Sequence, residues 1–346
     1  LWDANTGSIA HKVLLGVEYG DQKTANQRYN RVFTPGNVFS LTTRAFPSVV
    51  FTTPSRDTKS DVRFFSAYAQ DQISLSEHFD LVTGIRYDHF RITGTDFIPA
   101  VDRPFKRIDS KVSPRLGLIY KPQEHVSIYA SYSQSFLPRS GDQFITMTPT
   151  QENLAPEKFT NYEVGAKWDI KPSLNLTLAL FQLDRTNATT PDPANVLNTI
   201  NVGQTRTQGV EVALNGQILP HWHASWGYTW QDAKLRGNGF VRLAQVPEHQ
   251  LALWNKYDFT RTFGLGLGVI HQSSQFAANR TSPTTTRLPG FTRIDAAVYF
   301  KLASDIELQV NVENLFDKSY FSDAHNNNNI SPGAPLNARF TVRAKF

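Results

Sequence analysis

The chain has no cysteine and a single methionine, Met147. Zero cysteine excludes a disulfide framework and thiolate metal sites. No stretch approaches the ~20 consecutive apolar residues that a membrane-crossing helix needs. Mean hydropathy is −0.37. Catalytic signatures are missing as well: the sequence holds no Gly-x-Ser-x-Gly elbow, no His-Glu-x-x-His and no phosphate-binding glycine loop. Nor is there a basic run of the kind that tracks a nucleic-acid backbone. A length of 346 residues allows two or three soluble domains or one large barrel. Low hydropathy does not exclude the barrel, because alternation dilutes its apolar residues.

What the chain has is alternation. Val126, Ile128, Ala130 and Tyr132 alternate with Ser127, Tyr129, Ser131 and Ser133. Tyr162, Val164, Ala166, Trp168 and Ile170 alternate with Asn161, Glu163, Gly165, Lys167 and Asp169. The same rhythm runs through 174–181, 222–231 and 306–313. At the end of the chain Phe340, Val342, Ala344 and Phe346 form one face, and Arg339, Thr341, Arg343 and Lys345 the other. A period of two over such lengths fits strands that cross a bilayer at a tilt, and a helical period fits none of them. Basic side chains facing lipid would cost roughly 2–4 kcal/mol each near the midplane, so the apolar face must be the outer one.

Extending the pattern predicts an all-β fold, a transmembrane antiparallel β-barrel with about fourteen strands in this chain. The expected spans are 8–28, 61–77, 79–94, 109–121, 125–137, 158–171, 173–187, 200–218, 222–236, 247–260, 262–276, 290–303, 305–316 and 335–346. Short turns such as Lys171-Pro172-Ser173 alternate with long polar loops at 29–60, 95–108, 138–157, 188–199, 237–246, 277–289 and 317–334. Short periplasmic turns opposite long external loops are the pattern of outer-membrane barrels. A soluble propeller or sandwich array would need strands of about 5–6 residues, shorter than these.

Several stretches resemble the TonB-dependent outer-membrane siderophore receptors. They are Ser113-Pro114-Arg115-Leu116-Gly117-Leu118 through Ser133, Leu154-Ala155-Pro156-Glu157 with Asn161-Tyr162-Glu163-Val164-Gly165-Ala166-Lys167, Arg206-Thr207-Gln208-Gly209-Val210-Glu211, and Glu313-Asn314-Leu315-Phe316-Asp317-Lys318-Ser319-Tyr320. Together with Phe346 they cover the chain from about residue 60 onward. The last loop, with Ser331-Pro332-Gly333-Ala334-Pro335, looks most like the catecholate-siderophore subgroup. The resemblance implies a 22-stranded plugged barrel in the outer membrane, of which residues 1–346 are the C-terminal part, with the N-terminal plug, its TonB-contacting box and the first strands lying upstream. It implies active uptake of a ferric siderophore, with partners in outer-membrane lipid and, through the N-terminal region, the TonB complex. It implies no cofactor held by this chain, the iron travelling within the siderophore. The alternatives are a stand-alone porin-like passive channel of fourteen strands, or a membrane-embedded enzyme or adhesin.

Physics gives the motifs structural work too. Gly165 and Gly209 within strands mark bends or close backbone approach, Pro156-Glu157 begins a strand, and Asn314 to Tyr320 reads as a turn. Substrate contacts are expected from external loops. Anionic, aromatic ligands call for arginine forks and flat rings. Residues of those types there are Arg44, Phe46, Arg103, Phe136, Arg139, Phe144, Arg242, Phe276, Arg280, Arg287, Tyr320, Phe321 and His325. For each, the competing role is a loop anchor or a solvated charge. No residue is expected to be catalytic. His221 and His223 flank Trp222 at a turn, a weak metal pair at most, and His271 stands alone. A net charge of +5 is either a solvated excess or a basic mouth that attracts anions.

Overall fold

A computed structural model describes residues 1–29, 54–98, 101–139, 147, 152–191, 199–236, 241–280 and 284–344. Ten strands fill the first two thirds: β1 (Trp2–Thr6), β2 (Ile9–Arg28), β3 (Arg56–Ser74), β4 (Phe79–Asp96), β5 (Arg103–Gln123), β6 (Val126–Leu137), β7 (Glu157–Lys171), β8 (Leu174–Pro191), β9 (Thr199–Leu219) and β10 (Trp222–Arg236). Then come β11 (Val241–Arg242), β12 (His249–Asp258), β13 (Phe263–Gln272), β14 (Gln275–Phe276), β15 (Arg287–Leu288), β16 (Phe291–Lys301), β17 (Ile306–Glu313), β18 (Phe321–Asn326), β19 (Asn329–Pro332) and β20 (Asn337–Ala344). One antiparallel meander takes in all but β14, β15, β18 and β19, with β11 attached to the outer end of β10. Those four form two small hairpins in the external loops.

The fourteen expected strands are β2 to β10, β12, β13, β16, β17 and β20. Three details differ. β1, joined to β2 by the Gly7-Ser8 turn, is a short strand that the alternation did not flag. β3 and β5 begin five and six residues earlier than expected, at Arg56 and Arg103. The added residues of β3 are all polar, and those of β5 mix Phe105 with Arg103 and Arg107 on one face and Ile108 with Pro104 and Lys106 on the other, so neither stretch shows an apolar face for hydrophobic periodicity to register. The loops at 277–289 and 317–334 are not bare, since they hold strand segments of the two hairpins. Lys345 and Phe346 lie outside the described residues.

Facing matches the alternation. Val17, Phe340 and Val342 are 75%, 74% and 68% exposed, as are the outward leucines Leu116, Leu118, Leu180 and Leu267 to about half. Aromatic pairs flank that apolar band: Phe79 with Tyr120 and Phe263 with Phe300 at the short-turn end, and Tyr132 with Tyr162 at the loop end. Two such girdles with aliphatics between them mark the water boundaries of a bilayer. The opposite face is polar and cross-linked. Arg86 reaches Asp88 and Glu18 at 2.8 and 2.9 Å, Ser66 donates to Asp88 at 2.6 Å, and Tyr129 donates to Glu163 at 2.6 Å.

Registry shows the stagger that closing a barrel demands. Following hydrogen-bonded partners sideways from His11 leads through Ile73, Leu81, Leu118, Ala130, Val164, Leu180, Val210 and Trp230 to His249. That line starts beside a short turn and ends beside an external loop, so the strands are steeply tilted. Ladder irregularities at Tyr120/Gln123, Asp169/Lys171 and Trp222/His223 all fall beside turn prolines, Pro122, Pro172 and Pro220. Proline gives no N–H to the ladder, and the register slips there.

Of the three strand glycines in the family-like motifs, Gly165 and Gly209 are sites of close approach, while a Cβ on Gly117 would meet nothing nearer than 3.6 Å. A Cβ on Gly165 would meet the Tyr129 ring at 2.5 Å and the Leu178 carbonyl at 2.6 Å, and one on Gly209 would strike the Trp230 carbonyl.

Candidate functional site

Two regions of the external end collect the arginines and aromatics singled out by sequence. The first is the upper wall of β4 to β8. Polar-facing residues of β5 recur at Arg103, Phe105, Arg107 and Asp109, alternate positions of one strand. Arg103 donates to the Met147 carbonyl at 2.6 Å and to Glu152 at 2.5 Å, and Asp96 lies 3.9 Å away. Arg107 forks onto Asp109 with two bonds of 2.7 Å and reaches the Glu152 carbonyl at 2.6 Å. Met147 seals a small apolar core with Val62, Ile92 and Phe105. Phe136 packs edge-on against Phe90, with centroids 5.8 Å apart.

Beside it, Arg139 is buried and donates to the Asn187 carbonyl at 2.7 Å, with Glu157 3.3 Å away. Arg185 holds the other oxygen of Glu157 at 2.5 Å, and Thr189 donates to the oxygen nearer Arg139 at 2.9 Å. Burial pushes the Arg139 guanidinium below its ordinary pKa. Glu157 opposes that shift, and the neighbouring charge of Arg107 adds to it. Four arginines here face Asp96, Asp109, Glu152 and Glu157. The wall is balanced in charge, and it ties Met147 and residues 152–157 to the strands. Arg103 and Arg139 therefore do anchoring work. Sequence reading missed Arg107 and Arg185. The signal for Arg107 was its position four residues beyond Arg103, on the same strand face.

The second region is a platform where three external segments meet. Ala277, Leu288 and Ala324 are buried together, with Ile330 against them. Backbone and side-chain bonds lace the segments: Gln245 to Phe276 at 2.9 Å, Arg280 to Arg242 at 3.0 Å, and Thr286 to Asn327 at 3.1 Å. Its last segment is built on Asn314, which is 1% exposed. Asn314 donates to the Lys318 and Ala334 carbonyls at 3.0 Å each, accepts from the Lys318 N–H at 2.8 Å, and gives its own N–H to Asp295 at 2.8 Å. Its φ of 55° suits asparagine. The turn read at Asn314–Tyr320 is thus a hydrogen-bonded knot.

On the platform the candidates divide. Arg242 is engaged with Glu248, and Asp232 lies at 3.9 Å. Tyr320 accepts from Arg293 at 3.0 Å and packs on Phe291 with centroids 4.3 Å apart. Both are scaffold. Arg280, Arg287, Phe321 and His325 are exposed. Arg280 sits over the Phe276 ring at 5.3 Å, and Arg287 donates to Ser274 at 2.9 Å. A cleft of about 330 Å³ lies alongside, lined by Pro289, Gly290, Lys318, Tyr320, Phe321 and Pro332 among others. Arg44, Phe46 and Phe144 lie outside the described residues. His221 sits in a short turn at a φ of 70°, and His271 shares a bond of 2.9 Å with Thr292. No group of three or more metal-ligating side chains occurs among the described residues.

A tilted antiparallel meander with a lipid-type outer band, a charged inner wall and loops knotted at one end defines a transmembrane β-barrel of the outer membrane. The profile of the family described as "TonB dependent receptor-like, beta-barrel" matches residues 1–315, and the chain belongs to that family. It is 27% identical to the probable TonB-dependent siderophore receptor PiuA of Acinetobacter baumannii, across 99% of this chain and 51% of that protein. Identity to the metal-pseudopaline receptor CntO of Pseudomonas aeruginosa is 28%, across 100% of this chain and 50% of that protein. The catecholate siderophore receptor Fiu of Escherichia coli is 27% identical, across 99% and 49%. The crystal structure of PiuA superposes with a TM-score of 0.84 at 26% identity, covering 99% of this chain and 54% of that one. The chain spans about half the length of the curated relatives it matches.

Proposed function

We propose that residues 1–346 form the C-terminal part of the barrel of a receptor that takes up a ferric siderophore of catecholate type through TonB-coupled transport. In this reading the external platform captures the chelate. A plug and a TonB-contacting segment, supplied from outside this chain, open the way through the lumen. Two of the relatives are siderophore receptors by name, and one of those is a catecholate receptor. The observation that carries the reading is the division on the platform. Arg242 and Tyr320 are held by the scaffold, while Arg280 over Phe276, Arg287, Phe321 and His325 stay exposed, and Phe321 lines a cleft with Tyr320. Guanidinium forks and open ring faces suit an anionic, aromatic chelate. The family match does not favour the passive channel.

The test is equilibrium binding of the full-length receptor to ferric catecholates, ferric hydroxamates and haem. Catecholates are expected to bind tightest. Replacing Arg280 and Arg287 together by alanine is expected to raise Kd about tenfold, equivalent to about 1.4 kcal/mol. Binding to no iron chelate, together with growth rescue by another nutrient, would contradict the proposal.

A further inference from the structure

We propose that a cavity low on the inner wall of β3 to β7 is a second binding station, which takes an anionic aromatic group of the chelate between its capture outside and its release at the short-turn end. The ligand rests on the function proposed above, and the site rests on geometry. Register assembles it. Leu116, Leu118 and Tyr120 are exposed on the outer face of β5, so Arg115, Gly117, Ile119 and Lys121 face inward. Gly117 is flanked by Val82 and Ser131, and Ile119 by Asp80 and Tyr129. Lys167 follows on β7, opposite Ser127. These residues line a cavity of about 400 Å³, a size typical of small-molecule sites.

The floor of the cavity is apolar on an otherwise polar wall. Val82 stands beside Gly117, and Ile119 is the next inward residue of the strand. A Cβ on Gly117 would meet nothing nearer than Val82 at 3.6 Å, so the glycine leaves open a space that its neighbours do not fill. One side is an aromatic ring. Tyr129 lies over Gly165, where a Cβ would meet the ring at 2.5 Å, and its hydroxyl donates to Glu163 at 2.6 Å.

The rim is cationic. Arg115, Lys121 and Lys167 line it against a single carboxylate, Asp80, which Lys121 holds at 2.5 Å. Among the described residues neither Arg115 nor Lys167 is paired with a carboxylate. Arg115 donates to Gln70 at 3.3 Å, and Lys167 lies 5.8 Å from the centre of the Tyr129 ring. Both are exposed. The upper wall differs, for Arg103, Arg107, Arg139 and Arg185 each have a carboxylate there. A cleft with charge of one sign concentrates the opposite ion. A flat anion laid on Val82 and Ile119 leaves water on its ring face, while the Arg115 fork and the Lys167 ammonium meet its oxygens. A site on a transport path must also let go, and solvent-screened cations hold an anion weakly enough to do so.

The test measures capture and transit separately, in cells carrying the full-length receptor and given a ferric catecholate labelled with radioactive iron. Capture is read as Kd in energy-depleted cells, and transit as the maximal uptake rate in energised ones. Arg115→Gln with Lys167→Gln is expected to leave Kd within twofold of wild type and to lower the maximal rate at least fivefold. Gly117→Leu, which fills the cavity and leaves its charge alone, is expected to do the same. Arg115→Lys, which keeps the charge, is expected to stay within twofold on both. So is Arg339→Gln, which removes an inward cation of β20 already paired with Glu313. Mobility of unheated protein on a denaturing gel reports whether a variant is folded. Should the double variant not fold, Arg115→Gln and Lys167→Gln are read singly, each with an expected twofold loss of rate. Equilibrium dialysis of the purified full-length receptor against dihydroxybenzoate reads the cavity independently of the function proposed above. Wild type and the Arg280→Ala, Arg287→Ala variant are expected to bind it, and the Arg115→Gln, Lys167→Gln variant to bind at least threefold less. If wild type captures no chelate, that function fails, and the dialysis still decides the cavity. Three results would overturn the station: an unchanged uptake rate in the folded double variant, a rise in Kd that accounts for the fall in rate, or equal binding of dihydroxybenzoate by the double variant and wild type.

Discussion

Glu157 sits at the start of β7 with two arginines on its carboxylate, Arg185 at 2.5 Å and Arg139 at 3.3 Å. Replacing it by glutamine keeps the shape and removes the charge, leaving Arg139 buried and unpaired. Breaking a buried pair in this way costs about 3–5 kcal/mol. Glu157→Gln is expected to lower the denaturant midpoint of the receptor and to expose residues 152–156 to protease, both measurable on the purified protein. Asn314 carries a knot of a different kind. Alanine there deletes three side-chain hydrogen bonds and strands the carbonyls of Lys318 and Ala334. A loss of about 2–3 kcal/mol is expected, read as accelerated proteolysis within 315–336. Glu157 was legible in sequence only as a strand start and Asn314 only as part of a turn. Their work depends on partners tens of residues away, Arg139 and Arg185 for one and Ala334 for the other, and no local pattern announces such partners.

At the scale of strands, the sequence was most readable where one side of the sheet meets lipid. Val164 and Leu180 have to be apolar there, and Glu163 and Lys167 have to face away, so the period of two is enforced residue by residue. Above the girdles both faces of β3 and β5 meet water or loops, and the constraint lapses. The expected strands accordingly fell short by five and six residues at Arg56 and Arg103. Hairpins β14–β15 and β18–β19 escaped for the same reason, being two to six residues long and cut from polar loops. Glycine in mid-strand was more informative. At Gly209 a side chain would collide with the Trp230 carbonyl, which belongs to the neighbouring strand and cannot move aside. Gly209→Val is expected to cost about 1–3 kcal/mol through overpacking, and to reduce the yield of folded barrel in refolding assays. Gly227, with open space where a Cβ would lie, is expected to accept alanine with no loss of yield.

The whole molecule is a tilted sheet with two unlike sides, and its net charge of +5 gives it a long-range field. The inner upper wall is balanced, so steering has to come from exposed cations such as Arg280 and Arg287. The association rate of an anionic chelate with the full-length receptor is expected to fall as salt rises past ~0.1 M, where the Debye length is about 10 Å. Everything else rests on which side of the sheet touches lipid. The absence of cysteine makes that directly measurable, because each introduced thiol is unique within these 346 residues. Nitroxide labels placed one at a time at Glu163, Val164, Ala166, Lys167 and Trp168, and at 176–181 on the adjacent strand, would report collision with oxygen dissolved in lipid and with a water-soluble nickel chelate. Oxygen contact is expected at Val164, Ala166, Trp168, Leu178 and Leu180, and chelate contact at Glu163, Lys167 and Thr177, alternating position by position in reconstituted membranes. A profile without that alternation, or with the two sets exchanged, would contradict it.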